Sequence, residues 1–335
     1  MKKFVKLILI NLCAVLLVIV IFEIIIRLLF PQIILSGTSA TLLKERVYLD
    51  SPGLKPNSQG ESYGVMKEVD SLGFWKYNNN KTNHKINLLL LGDSATMGIG
   101  VENDSTFAGL INSSVDSVKI FNPSLIGYSS KDYLNIINKV LVTDKNKLHI
   151  KKLMIFWCLN DVYDNYPTKD SPDIRTKGYV GKFINLVSRN FKTWHLLKEL
   201  FSDRQKDYFQ YDVQFYEGNN LPLEQSLQNI IDCYSIAKKF DIDTEFIILP
   251  YEYQIRNIAS DKYNLPQATL EKKLSDYEIN TTDILDMVGK DIKDSKELFL
   301  FGDGIHFSKV GHRLIAKLLL EQKVYLNHIQ GNAHR

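Results

Sequence analysis

Cysteine is scarce in this chain: its 335 residues contain three. Cys13 lies in an apolar N-terminal run, and Cys158 and Cys233 lack the close pairing of a zinc or redox motif, so no disulfide framework is expected. No His, Asp and Glu cluster has the spacing of metal ligands, and neither a metal nor a cofactor is expected. Proline is sparse as well, with nine residues, and the 45% apolar and 24% charged content is that of a folded chain rather than a disordered one. An excess of either charge is also missing. The formal charge of +3 belongs to residues 1–30, where Lys2, Lys3, Lys6 and Arg27 face Glu23. Removing these from 41 basic and 38 acidic residues leaves 37 of each, and a neutral body argues against a nucleic-acid partner. No internal repeat is visible, and the length suits one or two domains with a sizeable core.

What the chain does have is one long hydrophobic run. Leu7 to Phe22 reads LILINLCAVLLVIVIF, and Ile24, Ile25, Ile26, Leu28, Leu29 and Phe30 extend it. Twenty helical residues span ~30 Å, the thickness of a bilayer core, so residues 1–30 are expected to be a transmembrane signal anchor. Glu23 and Arg27, four apart, can pair on one helix face near the far end. A cleaved signal peptide is the rival, but its apolar part should be shorter and end at small residues, whereas Phe22 to Phe30 is bulky throughout. Asn11 and Leu12 before Cys13 speak against a lipoprotein site. The lysines at positions 2, 3 and 6 favour a cytoplasmic N-terminus, with the rest of the protein outside the cytoplasm.

Residues 31–84, rich in Gly, Ser, Asn and Pro, read as an extended stalk. From Ile86 the pattern changes to short apolar runs, INLLLLG (86–92), VKIF (118–121), LMIFWC (153–158) and FIILP (246–250), which read as buried parallel strands. Helical stretches lie between them, at 130–141 and 223–240, and a last helix is capped by Ser308 with Val310, Leu314, Ile315, Leu318 and Leu319 on one face. The alternation predicts a three-layer α/β/α sandwich with a central parallel sheet over residues 85–330. An insertion at 166–221 includes the amphipathic stretch 182–201, expected to pack on the sheet, with a membrane-surface or substrate-covering role as the alternative.

Three loops at predicted strand ends carry polar groups suited to chemistry. LLLLGDSATMGIG (88–100) puts Ser94 where the first strand stops, a position at which open parallel sheets bind ligands, and Gly92 permits a tight turn there. Alone, this Gly-Asp-Ser is an ordinary turn with a capping serine. FNPSLIGYSS (121–130) contains Gly127, a residue able to offer an unobstructed backbone N–H, and FWCLNDVYDN (156–165) has Asn160, an amide able to donate to an oxyanion or simply to cap its loop. Before the last helix, FGDGIHFSKVGHRLIA (301–316) sets Asp303 three residues ahead of His306, a spacing that lets a carboxylate orient an imidazole toward a serine hydroxyl. His312 has no carboxylate beside it in sequence. The other five histidines sit in loops, helical segments or the tail, where solvated side chains are expected.

In this order the four segments resemble the blocks of the SGNH hydrolases, also called GDSL esterases and lipases, over roughly residues 86–322. The resemblance implies that Ser94 is the nucleophile, that Asp303 and His306 complete the triad, and that the Ser94 and Gly127 N–H groups with the Asn160 side chain form the oxyanion hole. The third block usually reads G-x-N-D; Cys158 stands here in place of its glycine. The fold implied is SGNH or flavodoxin-like, and the anchor resembles that of membrane-anchored bacterial members. The absence of a G-x-S-x-G elbow speaks against the separate α/β-hydrolase fold. The expected activity is a membrane-tethered serine esterase acting outside the cytoplasm on an O-acyl ester of a lipid, an acylated glycan or a small molecule. An O-acetyltransferase of envelope polysaccharide and a catalytically silent glycan- or protein-binding module remain as alternatives.

Overall fold

The computed structural model describes residues 2–35, 37–78, 84–162, 179–289 and 292–325. The central sheet has five strands, β5 (Ile86–Leu91), β6 (Val118–Phe121), β7 (Ile150–Trp157), β8 (Asp243–Ile248) and β9 (Asn280–Asp283), in the order β6-β5-β7-β8-β9 and all parallel. Strands covered on both faces need apolar residues on both sides of the pleat, which is why β5 from Leu88 and β7 from Leu153 run on as unbroken hydrophobic stretches. Leu88 to Leu91 and Leu153 to Trp157 are all buried. Edge strand β9 reads Asn-Thr-Thr-Asp and has no such run, so its sequence gave no strand signal.

Short and long helices connect the strands: α2 (Ser94–Met97), α3 (Phe107–Ser114), α4 (Ser130–Ile137), α5 (Tyr179–Asn190), α6 (Lys192–Phe201), α7 (Arg204–Val213), α8 (Leu221–Lys239), α9 (Glu252–Arg256), α10 (Leu265–Ser275), α11 (Ile284–Val288) and α12 (Lys309–Glu321). Helix α3 packs with α12, and α4 with α8, giving the two outer layers of the expected sandwich. Ser308 caps α12 by accepting from the N–H groups of Val310 and Gly311. Val310 itself is exposed, however, and the buried stripe of α12 runs through Gly311, His312, Ile315, Ala316 and Leu319.

The stalk expectation is corrected. Residues 43–68 form two antiparallel hairpins, β1 (Leu43–Tyr48) with β2 (Ser51–Leu54) and β3 (Gln59–Ser62) with β4 (Val65–Glu68). Tyr63 and Gly64, both at positive φ, make the two-residue turn that a tight hairpin favours, so the polar residues are turn residues rather than tether. Leu42, Leu54, Phe74 and Trp75 join the main core. Burying such a side chain is worth roughly 1.5–3 kcal/mol, enough to draw these hairpins out of solvent. Trp75 Nε1 donates to the Ser124 carbonyl at 2.9 Å, and Ser51 Oγ to Asp132 at 2.5 Å, fastening both ends of the segment to the sandwich.

At the N-terminus α1 (Lys2–Leu29) is a single apolar helix, long and apolar enough over Lys3–Leu29 to cross a membrane, with nearly all of its apolar side chains exposed. Glu23 and Arg27 do pair, at 2.7 Å. Glu23 also receives the backbone N–H groups of Lys192 and Thr193 at 2.9 and 3.0 Å and the Thr193 hydroxyl at 2.8 Å. Residue Phe191, at the head of α6, offers no capping side chain, and the carboxylate from α1 takes that role. The expected amphipathic stretch 182–201 is thus two helices, one docked on the apolar helix. Positions 166–178 of the insertion and 326–330 of the domain lie outside the described residues, as do His328 and His334.

Candidate active site

In the strand order, β5 stands between β6 and β7, so the chain reverses direction across the sheet at β5 and leaves a crevice at the carboxyl ends of these strands. Ser94 follows β5, Gly127 follows β6 and Asn160 follows β7. The topology therefore gathers three of the five expected residues at one edge of the sheet.

Ser94 begins α2. Asp93 precedes it as the helix cap, accepting the Ala95 N–H at 2.8 Å. Gly92 is needed for close approach rather than for a left-handed turn: a Cβ there would lie 2.0 Å from Thr96 Oγ1. With its backbone so held, the Ser94 hydroxyl lies 2.8 Å from His306 Nε2 and 3.1 Å from Asp93 Oδ2. The hydroxyl has one proton, and the shorter contact is to the imidazole.

His306 and Asp303 come from the loop before α12. Both Asp303 oxygens lie 2.9 Å from His306 Nδ1, which fixes the proton on Nδ1 and leaves the Nε2 lone pair facing Ser94. Asp303 Oδ1 also accepts the N–H groups of Ile305 and His306, at 2.9 and 2.8 Å. Burial by itself would raise the Asp303 carboxyl, but the His306 charge and these hydrogen bonds outweigh it and hold the group at about 2, so it is anionic near neutral pH. Gly304, at φ +83°, lets the loop turn against Gln205, where a Cβ would meet the side chain at 2.5 Å.

The structure thus brings Ser94, His306 and Asp303 into one hydrogen-bonded chain. Gly127 lies in an exposed turn at φ +79°, and Asn160 sits in the single turn Leu159–Val162 directly after β7. Asn160 Oδ1 is buried and has no hydrogen-bond partner among the described residues. Cys158 is buried at a φ that is not positive, so the position does not call for glycine's conformational freedom. Its N–H donates to Asp161 Oδ2 at 2.9 Å, and the Tyr133 hydroxyl donates to the same oxygen at 2.8 Å.

Other groups at the site were not singled out in the sequence. Burial, with Asp93 adding, pushes the Asp161 carboxyl well above the usual range, and burial raises Asp93 as well. Lys67, from β4, is buried beneath the turn that starts at Ser94, donating to the Met97 carbonyl at 3.1 Å and to Asn103 Oδ1 at 3.3 Å under the Trp75 ring. Asp93 could have been suspected from its place in the GDS block; nothing in the local pattern marks Lys67. His312 is fully buried, with Nδ1 accepting the Phe107 N–H at 3.2 Å and the ring lying against Phe107 and Phe307. Among the described residues one carboxylate group, Glu271, Asp283 and Asp286, is close enough to hold a cation, but Asp283 serves there as the cap of α11, and none of the three is in the triad.

No family model matches this sequence, and no curated protein matches it. Among solved structures, the chain is similar to an acetylxylan esterase from Geobacillus stearothermophilus, at 13% identity over 72% of this chain and 95% of that one, with a TM-score of 0.43. It is similar to a psychrotrophic esterase from Pseudoalteromonas sp. (14% identity, 72% and 99%, TM-score 0.42) and to a lipase/acylhydrolase from Enterococcus faecalis (15% identity, 71% and 94%, TM-score 0.40). These overlaps are too loose to carry any residue's role to this chain. What the site can do follows from its own atoms.

Proposed function

We propose that this protein is a serine esterase of the SGNH type that cleaves carboxylic O-acyl esters through an acyl-serine intermediate. The observation that carries the reading is the chain Ser94 Oγ to His306 Nε2 at 2.8 Å and His306 Nδ1 to Asp303 at 2.9 Å. A serine hydroxyl is inert near neutral pH unless a base takes its proton as it attacks, and this is the geometry in which a base can. Ser94 Oγ adds to the acyl carbonyl while His306 Nε2 receives the proton, and anionic Asp303 stabilises the imidazolium. The oxyanion that forms is received by the Ser94 and Gly127 N–H groups and the Asn160 amide. Collapse expels the alcohol, which takes the proton from His306. Water, deprotonated by the same imidazole, then attacks the acyl-serine and releases the acid.

In this reading α1 is a retained anchor with a cytoplasmic N-terminus, and the domain acts outside the cytoplasm. Its hydropathy and length support that role, as do its lysines at positions 2, 3 and 6. A fluorophosphonate probe tests the chemistry directly: Ser94 should be labelled in folded wild-type protein. A folded protein that stays unlabelled, or a probe on another serine, overturns the assignment.

A further inference from the structure

Two helices of the insertion present apolar side chains to solvent beside the end of α1. Phe183 and Leu186 on α5 are exposed, and so are Leu197, Leu200 and Phe201 on α6, the last at 84%. The spacings 183/186 and 197/200/201 put each set on one helix face, and a soluble surface rarely spends large apolar residues this way. Cations accompany them: Lys182, Arg189, Lys192 and Lys198 against the single acid Glu199, a local excess in a body that is neutral as a whole. Apolar on one face and basic around it is the pattern of a helix lying in a lipid interface.

The contacts with α1 fix where that interface would be. Glu23, six residues before the end of α1, caps the first turn of α6, Arg27 donates to the Asn190 carbonyl at 2.6 Å, and Lys192 Nζ reaches the Phe30 and Pro31 carbonyls at 3.2 Å. These bonds tie the start of α6 to the level at which the apolar helix ends. Its other end reaches the catalytic loop. The Glu199 carboxylate pairs with Lys296 at 2.7 Å, accepts from Gln205 at 3.1 Å and lies 3.1 Å from where a Cβ on Gly302 would stand, one residue from Asp303. Ten helical residues, ~15 Å, separate the two ends.

We infer that α5 and α6 form a lipid-interface unit whose exposed apolar face lies in the headgroup layer of an anionic phospholipid bilayer, seating the Asp303–His306 loop at the membrane surface. The inference rests on α1 serving as an anchor and takes its functional meaning from the esterase reading. A second protein copy on the same face is the competing occupant; the cationic surround and the hydrogen-bonded continuity with α1 favour lipid.

The test uses full-length protein reconstituted in phosphatidylcholine–phosphatidylglycerol vesicles. Trp75 and Trp157 are buried and emit out of reach of either quencher, so in a Trp194→Phe background the quenchable emission belongs to Leu186→Trp or Phe201→Trp, placed singly as a reporter and read against that background alone. If the face lies about 5–10 Å into the headgroup boundary, lipids brominated on their acyl chains should remove about half or more of each reporter's emission, and aqueous iodide should remove little. Iodide quenching without lipid quenching overturns the proposal, and so does resistance to both, which would mean that protein covers the face. Two reporters on different helices keep the test decisive should one substitution misfold. Fluorophosphonate labelling of the same samples reads the esterase assignment separately: lipid quenching without labelling sustains the interface and removes the enzyme.

Discussion

Lys67 Nζ donates to the carbonyl of Met97 at 3.1 Å in the buried interior, so a hairpin residue supports the turn that begins with Ser94. Burial lowers this lysine to about 7, against ~10.4 for a free side chain. Between those values the unfolded chain binds more protons than the folded one, so stability is full above ~10.4 and is lost as pH falls toward 7. Thermal melts of wild type and Lys67→Met should therefore converge or cross in the wild type's favour from pH 7 to pH 10. A difference that stays constant over that window would show that Lys67 does not titrate as its burial requires.

His312 sets the acid side. Burial, with repulsion from Lys67 and His306, lowers it to about 3, so its contribution is intact above ~6.5 and is lost as pH falls toward 3. His312→Asn keeps an acceptor for the Phe107 N–H and removes the titration. Its denaturation midpoint should depend less on pH between 6.5 and 4 than that of wild type, and equal slopes would count against the assignment.

Within the triad, His306→Ala should nearly abolish fluorophosphonate labelling with the circular dichroism unchanged. Asp303→Asn should reduce it by as much or less, because an amide can position the ring but cannot stabilise its charge. The exposed His149 is the control, and His149→Gln should label as wild type does.

Asn160→Ala removes one donor from a charge that develops mainly in the transition state. Steady-state kinetics on a p-nitrophenyl ester should show kcat reduced ~100-fold or more and KM nearly constant. A raised KM with kcat intact would make Asn160 a substrate-binding residue instead.

For the anchor, the expected outcome is membrane-bound protein that keeps its original N-terminus, with a reporter fused after Arg335 active only outside the cytoplasm. Soluble protein starting near Ser39 would mean that α1 is removed as a signal peptide.

The four strand runs and the Asp303–His306 pair could be read in sequence because each is encoded locally. A strand buried on both faces is apolar over most of its length, with buried polar groups such as Lys152 paired to Asp243, and Asp303 and His306 are neighbours in one loop. What brings Ser94 to His306, 212 positions away, is the sheet order, and there the resemblance of four blocks stood in for topology. The hairpins were misread because turn residues such as Tyr63 and Gly64 look like those of a flexible segment, while their anchors, Trp75 and Leu54, are single residues without period. Glu23 was legible as a partner of Arg27 but not as the cap of a helix 169 positions on, since nothing in either segment encodes the meeting.

The folding of residues 37–78 into the body changes the protein's reach. Fully extended, residues 31–84 would have let the domain range ~180 Å from its mooring. Ile33 is instead buried, and the Ile34 side chain lies 3.0 Å from where a Cβ on Gly100 would stand, so the body begins almost where the apolar helix ends. With α1 in a bilayer, the serine cannot be carried out to a distant wall polymer. Whatever it met would then have to come to the membrane.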